Sequence, residues 1–193
     1  VLAPDCVARL VATMEADPHI ALATSRRERI DSAGQPLADI LATVTAFPQP
    51  VRVDGPGLVS LLAEHTLNFI GEPSCVLCRR ADVLAYGDQL MSLNGQPIDW
   101  VGDLSIYVKL LQCGHLAYLP QTLTWVRVSS EQFSQQGRDT PGIGQQGHDW
   151  TTPRWYSRLI SLPTSMTCVT PLYNRSSNAS GWQRGCLASR SRD

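Results

Sequence analysis

The apolar positions of the chain fall into short periodic runs separated by turn chemistry. Val7, Leu10, Val11 and Met14 recur at three- and four-residue spacing, which predicts a helix near the start. Pro4 is tolerated in its first turn, and Asp17-Pro18 stops it. Residues 19–25 form an apolar run that reads as a strand, residues 26–30 continue it, and Asp31-Ser32-Ala33-Gly34 supplies a turn. Residues 36–53 are rich in Pro, Val and Thr without a period and read as irregular. A second helical pattern begins at Gly57, with Leu58, Leu61, Leu62 and His65 on one face. A polar loop over residues 68–74 leads into an apolar strand at residues 75–78. Residues 99–113 predict a third helix, with acidic Asp99 and Asp103 at its front and Gly114 able to cap its end. Residues 115–119 and 123–128 read as two strands broken by Pro120-Gln121, and residues 150–162 predict a last helix.

Helices alternating with short strands favour an α/β layered fold, and the modest strand count is consistent with a piece of an open sheet. With 193 residues, 43% hydrophobic and 17% charged, the chain has enough apolar material for one core. Sixteen basic residues against 17 acidic ones leave a net charge of −1, which gives no reason to expect nucleic acid or an anionic membrane as a partner. No apolar run reaches the length of a membrane-spanning helix. Val1 is not an initiator methionine, so the chain is expected to be cut from a longer one. Residues 129–149, rich in Gln and Gly, read as a loop, and the Ser-, Thr- and Arg-rich stretch from Thr164 onward reads as a frayed tail. Of six cysteines only Cys75 and Cys78 form a Cys-x-x-Cys, and no second pair completes a four-thiolate zinc site. Reduced core thiols are the expectation.

Three blocks carry a resemblance. They are Asn68-Phe69-Ile70-Gly71-Glu72-Pro73-Ser74-Cys75-Val76-Leu77-Cys78-Arg79-Arg80-Ala81, the stretch from Asp103 through Gly114 to Pro120, and the stretch from Trp125 through Arg127 and Gln132 to Ser134. In this order they resemble the second half of a family 2 glycosyltransferase. The resemblance implies a partial GT-A fold, a Rossmann-like nucleotide-diphospho-sugar transferase architecture with a mixed sheet flanked by helices. It covers residues 1–136; residues 137–162 follow as a Gly- and Gln-rich loop and a helix, and residues 163–193 as a disordered tail.

The implied reaction moves a sugar from a nucleotide-diphosphate donor to a hydroxyl acceptor. It needs a carboxylate base and a divalent cation, Mg2+ or Mn2+, on the leaving diphosphate. By resemblance Asp103 is the base, although Gly102 and Ser105 replace acidic residues of the family pattern. Gly71, Glu72, Pro73 and Ser74 match the acceptor-side loop, and Trp100 can stack on a sugar ring. Asp99 is a second acidic neighbour, and Arg127 matches an arginine on the donor-diphosphate side, followed by Ser129 where the family often has histidine. The family's Asp-x-Asp metal motif would lie just before Val1, and no other Asp-x-Asp occurs in the chain. The chain alone is therefore expected to bind no metal and to be inactive. The resemblance also implies a cytoplasmic location, or a peripheral one at the inner face of the membrane, and an incomplete sheet implies self-association. Two other readings compete: a non-catalytic α/β carbohydrate-binding or interaction module, and a Cys-x-x-Cys redox protein. The second needs a low-pKa thiolate at a helix N-terminus.

Overall fold

The computed structural model describes residues 1–65, 68–93, 96–97, 102–129 and 169–171. It is a mixed α/β structure with an open mixed sheet flanked by helices. Helix α1 (Cys6–Ala16) leads into the long strand β1 (Ile20–Ile30). A turn in which Gly34 has φ +86° and Asp31 accepts from the Gly34 and Gln35 amides returns the chain as β2 (Pro36–Leu37). Strand β3 (Val51–Val53) and helix α2 (Gly55–His65) follow. Beyond them lie β4 (Val76–Cys78), helix α3 (Arg80–Leu84), the small hairpin of β5 (Ser92–Leu93) and β6 (Gln96–Pro97), helix α4 (Gly102–Gln112) and strand β7 (His115–Arg127). Strand β8 (Val169–Pro171) pairs with β3 from within the stretch expected to be a tail.

The strand order is β2-β1-β7-β3-β8, with β4 also pairing β1. Among the described strands only β1 and β7 are parallel, and α4 leads back into β7. Alternation on β7 divides the core in two. Leu116 and Tyr118 face α2 and α4, packed with Leu58, Leu62, Tyr107, Leu110 and Leu111. Ala117 and Leu119 face α1, packed with Cys6, Leu10 and Met14. The apolar stripe at three- and four-residue spacing on α1 is therefore its buried face, while Val7 is 55% exposed.

Several sequence expectations are corrected here. Residues 115–119 and 123–128 form one strand, not two, because β7 continues past Pro120 as an irregularity in its ladder with β1. Proline has no N–H to donate, so pairing lapses there without ending the strand. The irregular stretch of residues 36–53 contains β2 and β3. Helix α2 begins two residues before Gly57, at Gly55, where an added Cβ would lie 1.9 Å from the Gly114 carbonyl oxygen and 2.1 Å from that of Leu111. Gly114 has no positive φ and so is not a left-handed cap; its missing Cβ lets His19 and Ala21 approach. The expectations for residues 130–162, and for most of 163–193, lie outside the described residues.

Lys109, the only lysine in the chain, is buried on α4. Its ammonium donates to the carbonyls of Gln89, Leu90 and Ser92, and Ser105 Oγ donates to Leu90 O at 3.2 Å. Three carbonyls satisfy the three donors of a cation that would otherwise be costly to bury. These bonds pin residues 89–92 to the helix that carries Asp103. No helix among the described residues is long and apolar enough to cross a membrane.

Candidate functional site

The loop of residues 68–75 lies between β1 and α4, and side chains from both hold it. Thr24 Oγ1 donates to Ile70 O at 2.7 Å and to Cys75 O at 3.2 Å. Arg27 Nη1 donates to Phe69 O at 2.8 Å and Nη2 to Asn68 O at 3.0 Å. Thr24 and Arg27 are three apart, and on a regular strand they would point to opposite faces. The register of β1 against β7 shifts between Ser25 and Arg26 and again between Arg26 and Arg27, the extra residues lying in β7, and both Thr24 and Arg27 reach the loop.

From the other side, Asp103 and Tyr107 stand one helical turn apart on α4 and meet the loop together. Tyr107, only 1% exposed, donates its hydroxyl to Gly71 O at 3.0 Å. Asn68 Nδ2 donates to Asp103 Oδ2 at 3.3 Å and to Gly71 O at 3.3 Å, while Asn68 Oδ1 accepts from the Gly71 amide at 3.1 Å. Gly71 sits at φ +117°, where an added Cβ would also crowd Cys75 Cβ at 3.1 Å, so glycine is required on both counts.

The loop's expected binding residues divide by position. Pro73 and Ser74 are exposed in a short 3-10 turn, with Cys75 buried at its end. Glu72 is partly exposed, its Oε2 3.0 Å from Arg27 Nε, an approach with no directed hydrogen bond. Arg27 itself is almost wholly buried. The site thus stacks a buried guanidinium, a half-exposed carboxylate above it and the Asp103 carboxyl across the loop.

Burial raises the Asp103 pKa above the usual aspartate range, and the Glu72 charge pushes the same way, although the Leu104 and Asp103 amides and Asn68 oppose it. Burial likewise raises the Tyr107 hydroxyl, with Asp103, Cys75 and Glu72 adding repulsion and Arg27 opposing. A carboxyl with raised proton affinity, half-buried beside a polar loop, is suited to take a proton from a hydroxyl.

Asp99 and Trp100 lie outside the described residues. Arg127 is not brought into this cluster: it pairs with Ile30, three residues or about 10 Å along β1 from Arg27. Its Nη1 donates to Asp31 O at 2.8 Å and Ser32 O at 2.6 Å, tying the end of β7 to the β1–β2 turn. Asp103, Glu72 and Gly71 are brought near one another. Arg27, Asn68 and Tyr107 as holders of the loop are not anticipated by the sequence. Asn68 three residues before Gly71, an asparagine and a glycine in a polar loop, was a usable turn signal for one of them.

The Glu72 carboxylate already faces a guanidinium, and among the described residues no three His, Cys, Asp or Glu side chains gather as a metal-binding group. Cys6, Cys75 and Cys78 are free thiols, and burial pushes all three above the ordinary thiol range. That is the wrong direction for a redox thiolate.

The chain was compared with family models, curated proteins and solved structures, and none of the three gave a match.

Proposed function

We propose that residues 68–75 and Asp103 form the acceptor side of a glycosyltransferase with a GT-A fold, as the family 2 resemblance implies. The observation that carries the reading is the convergence of Asp103 and the Gly71–Glu72 loop, two separate blocks of the resemblance, through the Asn68–Asp103 contact at 3.3 Å. A site at the front of α4, beside the parallel pair β1 and β7, also suits an open α/β sheet.

In this reading the acceptor hydroxyl lies between Glu72 and Asp103. Its oxygen attacks the anomeric carbon of the donor sugar, and its proton passes to an Asp103 carboxylate oxygen. The bond from that carbon to the diphosphate oxygen breaks, and the nucleoside diphosphate leaves with the electron pair. Glu72 accepts hydrogen bonds from neighbouring acceptor hydroxyls. The raised pKa of Asp103 makes its ionised form the stronger base. Mg2+ or Mn2+ bound to the diphosphate would offset the charge of the leaving group.

The first test is a thermal melt of the chain with UDP, GDP and dTDP, each with and without Mn2+, and with a panel of oligosaccharide acceptors. A ligand that binds only the native state raises the midpoint by mass action. An oligosaccharide shift abolished by Glu72→Gln supports the acceptor side, and absence of any such shift defeats it. Transfer is then assayed in a longer protein containing this chain, with and without Asp103→Asn. Glycan binding without transfer there would favour the non-catalytic module.

A further inference from the structure

Arg27 sits in Arg26-Arg27-Glu28-Arg29, a charged run at the end of a strand that in sequence looks like a solvated face. Its neighbours behave that way. Arg26 pairs with Asp39 at 3.1 Å, Arg29 donates to Ala38 O at 2.9 Å, and Glu28 accepts from Thr122 and Trp125, all at the surface or partly buried. Arg27 alone is 4% exposed and turned beneath the acceptor loop.

We propose that Arg27 is a positioning residue for Asp103: its guanidinium fixes the Asn68 and Phe69 carbonyls, and so holds the Asn68 side-chain amide against the Asp103 carboxylate. The inference rests on the reading of Asp103 as the base and assigns what sets that base. The connection runs through bonds already described. Nη2 and Nη1 fasten the backbone at residues 68 and 69, and the Asn68 amide bridges Gly71 and Asp103. The planar fork matters because its two Nη groups reach two separate carbonyls at once, with the Glu72 carboxylate near Nε without a directed hydrogen bond. A lysine keeps the charge but offers a single ammonium point. The charged and titratable groups around this point are Glu72 and Cys75 from the loop, Tyr107 on α4 itself and Arg27 from β1. The Asn68 bond favours the ionised Asp103, so losing it moves the Asp103 titration to higher pH.

The test follows Asp103 by its side-chain carboxyl carbon resonance across pH in the full chain, as wild type, Asn68→Ala, Arg27→Lys and the double variant. The expected result is an upward shift in both single variants, with the double variant shifted no further than Asn68→Ala alone. An unchanged Asp103 titration in Arg27→Lys overturns the proposal, and so does a double variant whose shift is the sum of the two. Should Arg27→Lys not fold, the wild-type guanidinium protons decide: separate, slowly exchanging Nη resonances support the anchoring, and one averaged resonance overturns it. None of these readouts needs a donor or an acceptor, so failure here is distinct from failure of the sugar-transfer reading. In an active longer protein, Arg27→Lys should lower kcat by about 10- to 100-fold with its pH profile displaced upward.

Discussion

Two aspartates, Asp17 and Asp103, show burial overcome by its partners in one place and prevailing in another. Asp17 follows α1, where its Oδ1 accepts from the His19 amide at 2.9 Å and its Oδ2 meets Arg52 Nη1 at 2.9 Å. Burial works to raise its pKa, but the His19 amide and Arg52 overcome it and bring the carboxyl below the usual range. Nearby, Asp54 accepts from the Gly57 amide at 3.0 Å and faces His115 Nδ1 at 3.7 Å. Asp103 at the front of α4 is also partly buried, yet its partners do not overcome burial and the Glu72 charge. Ionisation of Asp17 therefore strengthens the fold, and ionisation of Asp103 weakens it. A carboxyl held at a cost to stability is where function is to be sought.

The sharpest way to break this contrast is Asp103→Asn. Transfer by a longer active protein should fall by at least about 100-fold, while the chain melts at a higher temperature at neutral pH. The unfolded aspartate ionises near about 3.9, and above that pH the folded state binds more protons than the unfolded one, so ionisation there favours unfolding. The gain from asparagine should vanish in acid below both pKa values, and a lower melting temperature at pH 7 would refute the assignment.

Next in size, Gly55→Ala should cost about 3 kcal/mol by urea titration, the upper end of overpacking penalties, because its Cβ meets two backbone carbonyls. A neutral result would show that the junction of α2 with residues 111–114 can yield. Asp17→Asn should cost about 1.5 kcal/mol at pH 7. The folded pKa of Asp17 is depressed, so its contribution is present above the unfolded value and lost as pH falls through the folded one. An Asp17→Asn cost that persists unchanged in strong acid would remove the charge from the explanation.

The smallest effect is the pH slope from His115. Burial lowers its pKa, and Arg52 adds to that against Asp54 and Asp17. The unfolded histidine takes up a proton near about pH 6.5 while the folded one does not. Stability is full above that pH and declines as pH falls below it, and His115→Gln should flatten the decline between pH 7.5 and 5.5.

Much of the layered arrangement was legible because it follows from period. Leu10 and Met14 on α1, the apolar opening of β1, and Leu58 and Leu62 on α2 stand out as buried, while Val7 and Leu61 of the same patterns are exposed. Strand β3 was not legible: three residues, Val51–Val53, carry too little pattern, and their place between β7 and β8 comes from partners distant in sequence. The unity of β7 was hidden by Pro120, which looks like a stop and acts as a bulge. At the site, Gly71, Glu72 and Asp103 were found through resemblance. Arg27 was not, because its place beneath the loop depends on an irregular register with a strand almost 100 residues later, Arg27 standing opposite Thr124. Tyr107 lies within the helix predicted over residues 99–113, but its hydroxyl bond to Gly71 O is visible only once the loop is in place.

The burial of Lys109 makes its amine a clock. These 193 residues offer no other ε-amino group to an acylating reagent, and the one they have is sequestered under residues 89–92. Under native conditions acetylation of that side chain must wait for α4 and this segment to separate, the same event that would displace Asp103. Mass-spectrometric counting of acetyl groups at Lys109 against time would therefore read how often the front of α4 opens, from a single site and without a label.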